Sequence, residues 1–145
     1  MVSLLFLAIT ARPRLQWHTV SRKRNCVALS GIDHVQLAIP PGREHDARLF
    51  YGGILGLTEK PKPPDLAVRG GAWFENEHVK IHLGIDHDFH SAQKAHPGLL
   101  VRDLDAFITH LRRSGVEVMD SDLATYHRVY ISDPFGNRIE LIDAK

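Results

Sequence analysis

From residue 31 onward the chain alternates apolar and polar positions in short runs, interrupted by one helical stretch in each half. In Gly31-Ile32-Asp33-His34-Val35-Gln36-Leu37-Ala38-Ile39, the residues Val35, Leu37 and Ile39 share one face. His34 and Gln36 share the other, which is the period-two pattern of a half-buried strand. Pro40-Pro41-Gly42 ends it. Ala47, Phe50, Tyr51, Ile54 and Leu55 then recur at helical spacing and predict a helix over about 44–55, closed by Gly56. Lys60-Pro61-Lys62-Pro63-Pro64 reads as a loop. Strands follow around 72–75 and 79–83, and in the second of these Ile81 and Leu83 face the core while His82 turns away.

The second half repeats the first. His96 opens a strand whose apolar face is Leu99 and Val101. Leu104, Phe107, Ile108 and Leu111 mark a helix with Asp103 as N-cap and Gly115 as C-cap. Strands are expected at 116–119, 127–132 and 137–142, with a turn at 120–122. His96 lies 62 residues after His34, and Glu140 lies 58 after His82. A duplicated unit with a near-constant offset is a statement about fold. The predicted class is α+β: two paired β-α-β-β-β modules forming a half-open, cup-shaped mixed sheet with helices on the convex side. Module one spans 31–85, a polar, His-rich linker 86–94, and module two 95–143, within a domain of 30–145.

Residues 1–29 stand apart. An apolar-rich run to Ala11 is followed by Arg12, Arg14, Arg22, Lys23 and Arg24, with no acidic residue. The stretch lacks a charged n-region, and Pro13 beside a basic cluster is a poor cleavage context for a signal peptide. It is expected to lie outside the domain, as a disordered tail or as sequence translated upstream of a start near Val27. A transit peptide or an export segment is the alternative.

Length and composition narrow the functional classes. A chain of 145 residues suits one domain, and 43% hydrophobic with 24% charged residues is ordinary for a globular protein. A net charge of +1 gives no electrostatic case for nucleic acid. A single cysteine, Cys26, excludes an internal disulfide framework and suits a reducing compartment, so a cytoplasmic location is expected. No apolar run reaches the roughly 18 residues of a membrane span.

Ten histidines is the unusual count. His34 and His96 sit on the first strand of each module, and His82 and Glu140 on the last, all facing away from the apolar side. On a curled sheet these four converge. Imidazoles with one carboxylate suit a single divalent ion (zinc, iron, manganese, nickel or cobalt), leaving positions open for a substrate oxygen or water. Any one strand histidine is ordinarily structural, but four at corresponding places of a repeat favour metal. The other seven histidines read as solvated or structural. Arg128 and Tyr130 share the cup-facing parity and could bind a substrate carboxylate or phosphonate, or form a cross-strand pair at the rim. Trp73 could line the pocket or pack the core, and is read as core.

Asp33-His34-Val35, Phe50-Tyr51, Ile54-Leu55-Gly56-Leu57 and the closing Asp133-Pro134-Phe135-Gly136-Asn137-Arg138-Ile139-Glu140-Leu141 together resemble the vicinal oxygen chelate superfamily, over about 31–143. That superfamily includes glyoxalases, extradiol dioxygenases, fosfomycin thioltransferases, methylmalonyl-CoA epimerases and bleomycin-binding proteins. The resemblance implies that His34, His96 and Glu140 occupy its two-His-one-Glu metal site. His82 falls where glyoxalases supply a further carboxylate or amide ligand, so it is a fourth ligand or a general base, and His82 and Glu140 are the catalytic candidates. The implied function is a metal-dependent lyase or isomerase acting on a small oxygenated metabolite. An iron-dependent extradiol-type dioxygenase and a metal-free antibiotic- or metabolite-binding protein are the alternatives. A homodimer is expected, with modules paired within a chain or swapped across the dimer.

Overall fold

The structure, a computed structural model, describes residues 28–121 and 127–145. The expectation for the N-terminal extension therefore lies, for residues 1–27, outside the described residues, as does Asp122 of the expected turn. Residues 31–145 form one compact unit.

The architecture is α+β, built from two β-α-β-β-β modules. The first contains β1 (Val35–Ile39), α1 (Glu44–Ala47, continued as a π-helix over Arg48–Ile54), β2 (Thr58–Lys60), a short α2 (Pro64–Ala67), β3 (Ala72–Glu75) and β4 (Lys80–Ile85). The second contains β5 (Gly98–Val101), α3 (Leu104–Arg113), β6 (Met119–Asp120), β7 (Arg128–Ser132) and β8 (Arg138–Asp143). Each module makes an open four-stranded sheet, in the orders β1-β4-β3-β2 and β5-β8-β7-β6. In each, the first and last strands pair in parallel and the other pairs are antiparallel. The repeat extends to register: Gln36 stands opposite His82, and Gly98 opposite Glu140.

Strand alternation decides what is buried. Leu37, Ile39, Ile81, Leu83, Val129, Ile131, Ile139 and Leu141 all join the core, together with Phe74 from β3. The helices cover these faces with Phe50 and Tyr51 from the first module and Leu104, Ile108 and Leu111 from the second. Asp103 caps α3 by accepting the Ala106 N–H at 3.0 Å, as the sequence predicts. At its other end Gly115 takes φ +78°, and the Val116 N–H reaches back to the Leu111 carbonyl at 2.9 Å.

The helix predicted over 44–55 is present, but its second part is wider than an α-helix. The Leu55 N–H donates to the Phe50 carbonyl, five residues back, at 2.8 Å. Gly52 and Gly53 offer no side chains to resist the widening, and consecutive Phe50 and Tyr51 are both buried. The sequence reading missed β2 and α2. Pro64 sits at the start of α2, where its missing N–H costs nothing, so the proline-rich run hides a helix start rather than only a loop. The strand expected at 116–119 is confined to Met119–Asp120. β1 and β5 begin after His34 and His96 respectively, so both histidines precede their strands.

The two modules are joined by a buried polar knot in the Asp133–Asn137 turn. Asp133 is only 4% exposed, and its Oδ1 accepts the N–H groups of Phe135 (2.9 Å) and Asn137 (2.8 Å). Its Oδ2 accepts the Tyr51 hydroxyl (2.8 Å) and Asn137 Nδ2 (2.9 Å). Asn137 in turn donates to the Ala38 carbonyl of β1 at 2.9 Å and accepts the Ala92 N–H from the linker at 3.0 Å. Every strong polar atom of the knot is therefore paired, which a buried carboxylate requires.

Candidate functional site

The residues singled out by parity fall on the polar faces of the two sheets, as two pairs. In the first module the His34 and His82 rings stack at 4.0 Å with an interplanar angle of 21°. Trp73, opposite His82 in β3, stacks on that ring at 4.1 Å and 6°. The three rings thus form one column. This corrects the reading of Trp73 as core: its parity differs from buried Ala72 and Phe74, and it is only half-buried. Burial first, and the neighbouring His34 second, hold His82 below the usual imidazole range. That shift favours the neutral ring, the form that can serve as ligand or base.

In the second module His96 Nδ1 lies 2.9 Å from the Lys94 carbonyl. A carbonyl only accepts, so that nitrogen carries a proton, and in the neutral ring it is Nε2 that holds the lone pair. Nε2 points at Glu140, 3.6 Å from Oε2. Glu140 is largely enclosed, its side chain 12% exposed. Its Oε1 accepts Arg128 Nη1 at 2.7 Å and faces the Tyr130 hydroxyl at 3.4 Å. Arg128 Nε also donates to Ser121 Oγ at 3.1 Å. Arg128 and Tyr130 thus share the polar face with Glu140 and touch it.

The expected quartet does not gather into one cluster. Among the described residues no group of three or more His, Cys, Asp or Glu is placed to hold a metal ion. Chemically the donors suit a borderline divalent cation: two imidazoles on one sheet, an imidazole and a carboxylate on the other. Spatially, one chain offers them two and two. A cavity of about 440 Å³ runs beside His34 along the edges of β1 and β5, and does not include His82, His96 or Glu140. Its rim carries Ile32 and Leu100, 85% and 69% exposed.

Sequence reasoning missed Arg69 and Lys62, which line a second cavity on the polar face of the first sheet together with Gln36 and Trp73. The available signal was Arg69-Gly70-Gly71 immediately before β3. Both glycines adopt positive φ there, which marks a turn pressed against its neighbours.

Comparison with known proteins follows the same lines. Residues 26–141 match the family model described as Glyoxalase/Bleomycin resistance protein/Dioxygenase superfamily. A glyoxalase family protein from Bacillus anthracis shares 45% sequence identity with a TM-score of 0.78, over 85% of this chain and 100% of that one. Two more distant structures share the fold. The fosfomycin resistance protein FosX from Listeria monocytogenes is 15% identical, with a TM-score of 0.63 over 81% of this chain and 96% of its own. The antibiotic-binding protein TnmS3 from Streptomyces is 22% identical, with a TM-score of 0.59 over 81% and 100%. No curated protein matches the sequence. No described helix is long and apolar enough to cross a membrane.

Proposed function

Because this chain belongs to the glyoxalase/bleomycin resistance protein/dioxygenase superfamily, we propose that it is a metal-dependent enzyme of the lyase or isomerase type acting on a small oxygenated metabolite. Its metal ligands are His34, His82, His96 and Glu140, contributed by two copies of the chain. The observation that carries this reading is the equivalence of the two pairs. His82 and Glu140 occupy the same register on the last strand of each module, each beside the histidine that precedes the first strand. A pair on each polar face becomes a four-donor set when module one of one copy faces module two of another. The exposed Ile32 and Leu100 along the β1 and β5 edges give such a homodimer apolar surface to cover.

Each side chain then has a role. The Lys94 carbonyl orients His96 so that Nε2 is the donor atom, the outer hydrogen bond that imidazole ligands ordinarily use. His82, whose neutral form burial favours, is a fourth ligand or takes a proton from the substrate. With Glu140 engaged as a ligand, the Arg128 guanidinium is available to a substrate oxyanion, and Tyr130 donates beside it. A bound divalent ion supplies the polarisation of substrate oxygens that makes a neighbouring proton acidic.

The second reading is a metal-free binding protein. It is favoured by the Arg128–Glu140 ion pair at 2.7 Å, which already satisfies the carboxylate without a cation. Metal analysis of the tag-free full chain separates the two. Near-stoichiometric metal in the parent, lost in Glu140→Gln and in His34→Ala, is expected, whereas equal emptiness after metal is added back would leave only the binding protein. Mixing the two variants tests the shared site. If ligands come from two copies, each mixed dimer regains one intact site, restoring about a quarter of the parent's metal under random exchange. If both modules of one chain hold the ion, mixing restores none.

A further inference from the structure

The cavity lined by Gln36, Lys62, Arg69, Trp73 and Gly84 encloses about 270 Å³ on the same polar face as the ring column. Its walls are built with little slack. A Cβ on Gly71 would stand 2.1 Å from the Leu83 carbonyl, and one on Gly70 2.3 Å from Ile85 Cδ1, so the turn bearing Arg69 lies directly on β4. Lys62 Nζ donates to the Gly70 carbonyl, and the Gly71 N–H donates to Glu44 Oε1 at 3.1 Å, tying both ends of the loop. Gly84 completes the wall by what it lacks: a Cβ there would meet Gln36 Nε2 at 2.9 Å, so the glycine lets that amide lie across the strand.

The charges are unbalanced in one direction. Two cations line the cavity and no carboxylate does. Glu44, behind the loop, is engaged by Gly71 and also feels the charge of Lys62. The guanidinium of Arg69, on an exposed residue, makes no hydrogen bond or ion pair with any described residue, so no protein partner offsets its charge. A planar guanidinium fork binds carboxylate in a bidentate way, and the neighbouring indole of Trp73 offers a flat apolar surface. One surplus positive charge matches a monoanion better than a doubly charged phosphate.

We propose that this cavity is the binding subsite for the carboxylate of a small planar, conjugated acid, held by Arg69 with Lys62 and Gln36 as further donors and with its π-system against Trp73. The inference rests on the reading of this face as the substrate face, and it names the substrate class: a carboxylic acid whose oxygenated end reaches toward His82.

Benzoate is the probe, with benzamide as its neutral counterpart and inorganic phosphate as the competing anion, titrated by calorimetry into the full chain. A molecule of this size is expected to bind with a Kd of about 10 mM or tighter. Arg69→Ala should weaken benzoate at least about tenfold, Arg69→Lys should retain part of the affinity, and benzamide should bind about as weakly to the parent as benzoate binds to the alanine variant. Unchanged affinity in Arg69→Ala, benzamide binding equal to benzoate, displacement by equimolar phosphate, or no saturable benzoate binding would each overturn the proposal. The titration is run on chelator-treated protein, and bound metal is measured separately in Arg69→Ala. Arg69-dependent benzoate binding in a chain that takes up no metal would sink the enzymatic reading and keep the subsite. Metal retained with Arg69-independent binding would do the reverse.

Discussion

The buried knot around Asp133 yields the sharpest stability prediction. Replacing Tyr51 by Phe removes one hydroxyl and almost no volume, so the change reports the hydrogen bond from Tyr51 to Asp133 Oδ2, 2.8 Å long. Burial and the adjacent Asp133 charge push the Tyr51 hydroxyl far above its usual pKa, so it remains a proton donor throughout the working range. Hydrogen bonds to charged groups contribute about 1.5–3 kcal/mol. Oδ2 keeps a second donor in Asn137 Nδ2, so the carboxylate is not stranded and the loss should sit near the middle, about 2 kcal/mol. For a unit of residues 31–145 this corresponds to a fall in Tm of roughly 8–10 °C. Asp133→Ala removes the acceptor for four donors at once and should cost roughly 3–5 kcal/mol. Urea unfolding followed by far-ultraviolet circular dichroism gives both values, with an unchanged m-value indicating that the folded state is what lost energy. The double variant should be about 1.5–2 kcal/mol less unstable than the sum of the singles, because each removes the same bond. A Tyr51→Phe loss below about 0.5 kcal/mol, with additive singles, would refute the reasoning.

Two glycines with nearly the same φ should respond differently to alanine. Gly56→Ala meets open space at φ +71° and should cost about 1 kcal/mol, whereas Gly71→Ala drives a Cβ into the Leu83 carbonyl at φ +76° and should cost several times that, read from urea midpoints. Asp103→Ala removes the α3 cap and should cost about 1 kcal/mol in the same assay. The Gly71 N–H holds Glu44 below the usual carboxylate range, so its contribution is present above the ordinary value of 4.5 and is lost as pH falls through the depressed native value. The stability gap between parent and Glu44→Gln should therefore close on acidification, and a gap that widens would contradict the assignment.

Much of this was legible without coordinates because strand parity and helix spacing are local properties. The 62- and 58-residue offsets read from His34, His82, His96 and Glu140 reappear in the register of β1 with β4 and of β5 with β8. What escaped was set by packing between segments. The buried role of Asp133 escaped, because its partner Tyr51 lies 82 residues away. Parity put Arg128, Tyr130 and Glu140 on one face but could not say that they touch. It also could not say whether the two pairs proposed as metal ligands meet within a chain, since that depends on how whole modules face each other. Trp73 was misread because hydrophobicity was allowed to outweigh the alternation that placed it beside His82.

The backbone repeat carries unlike chemistry at its matching positions: His82 against Glu140, Trp73 against Tyr130, Gln36 against Gly98. A chamber walled by both faces would set a column of stacked rings against a guanidinium–carboxylate pair, so a guest molecule could tell its left from its right. Two mirror-related or end-to-end reversed approaches would be unequal in energy although the scaffold around them is nearly symmetric. If the proposed enzymatic reading holds, turnover on such a scaffold would yield a single enantiomer, with handedness written in side chains alone.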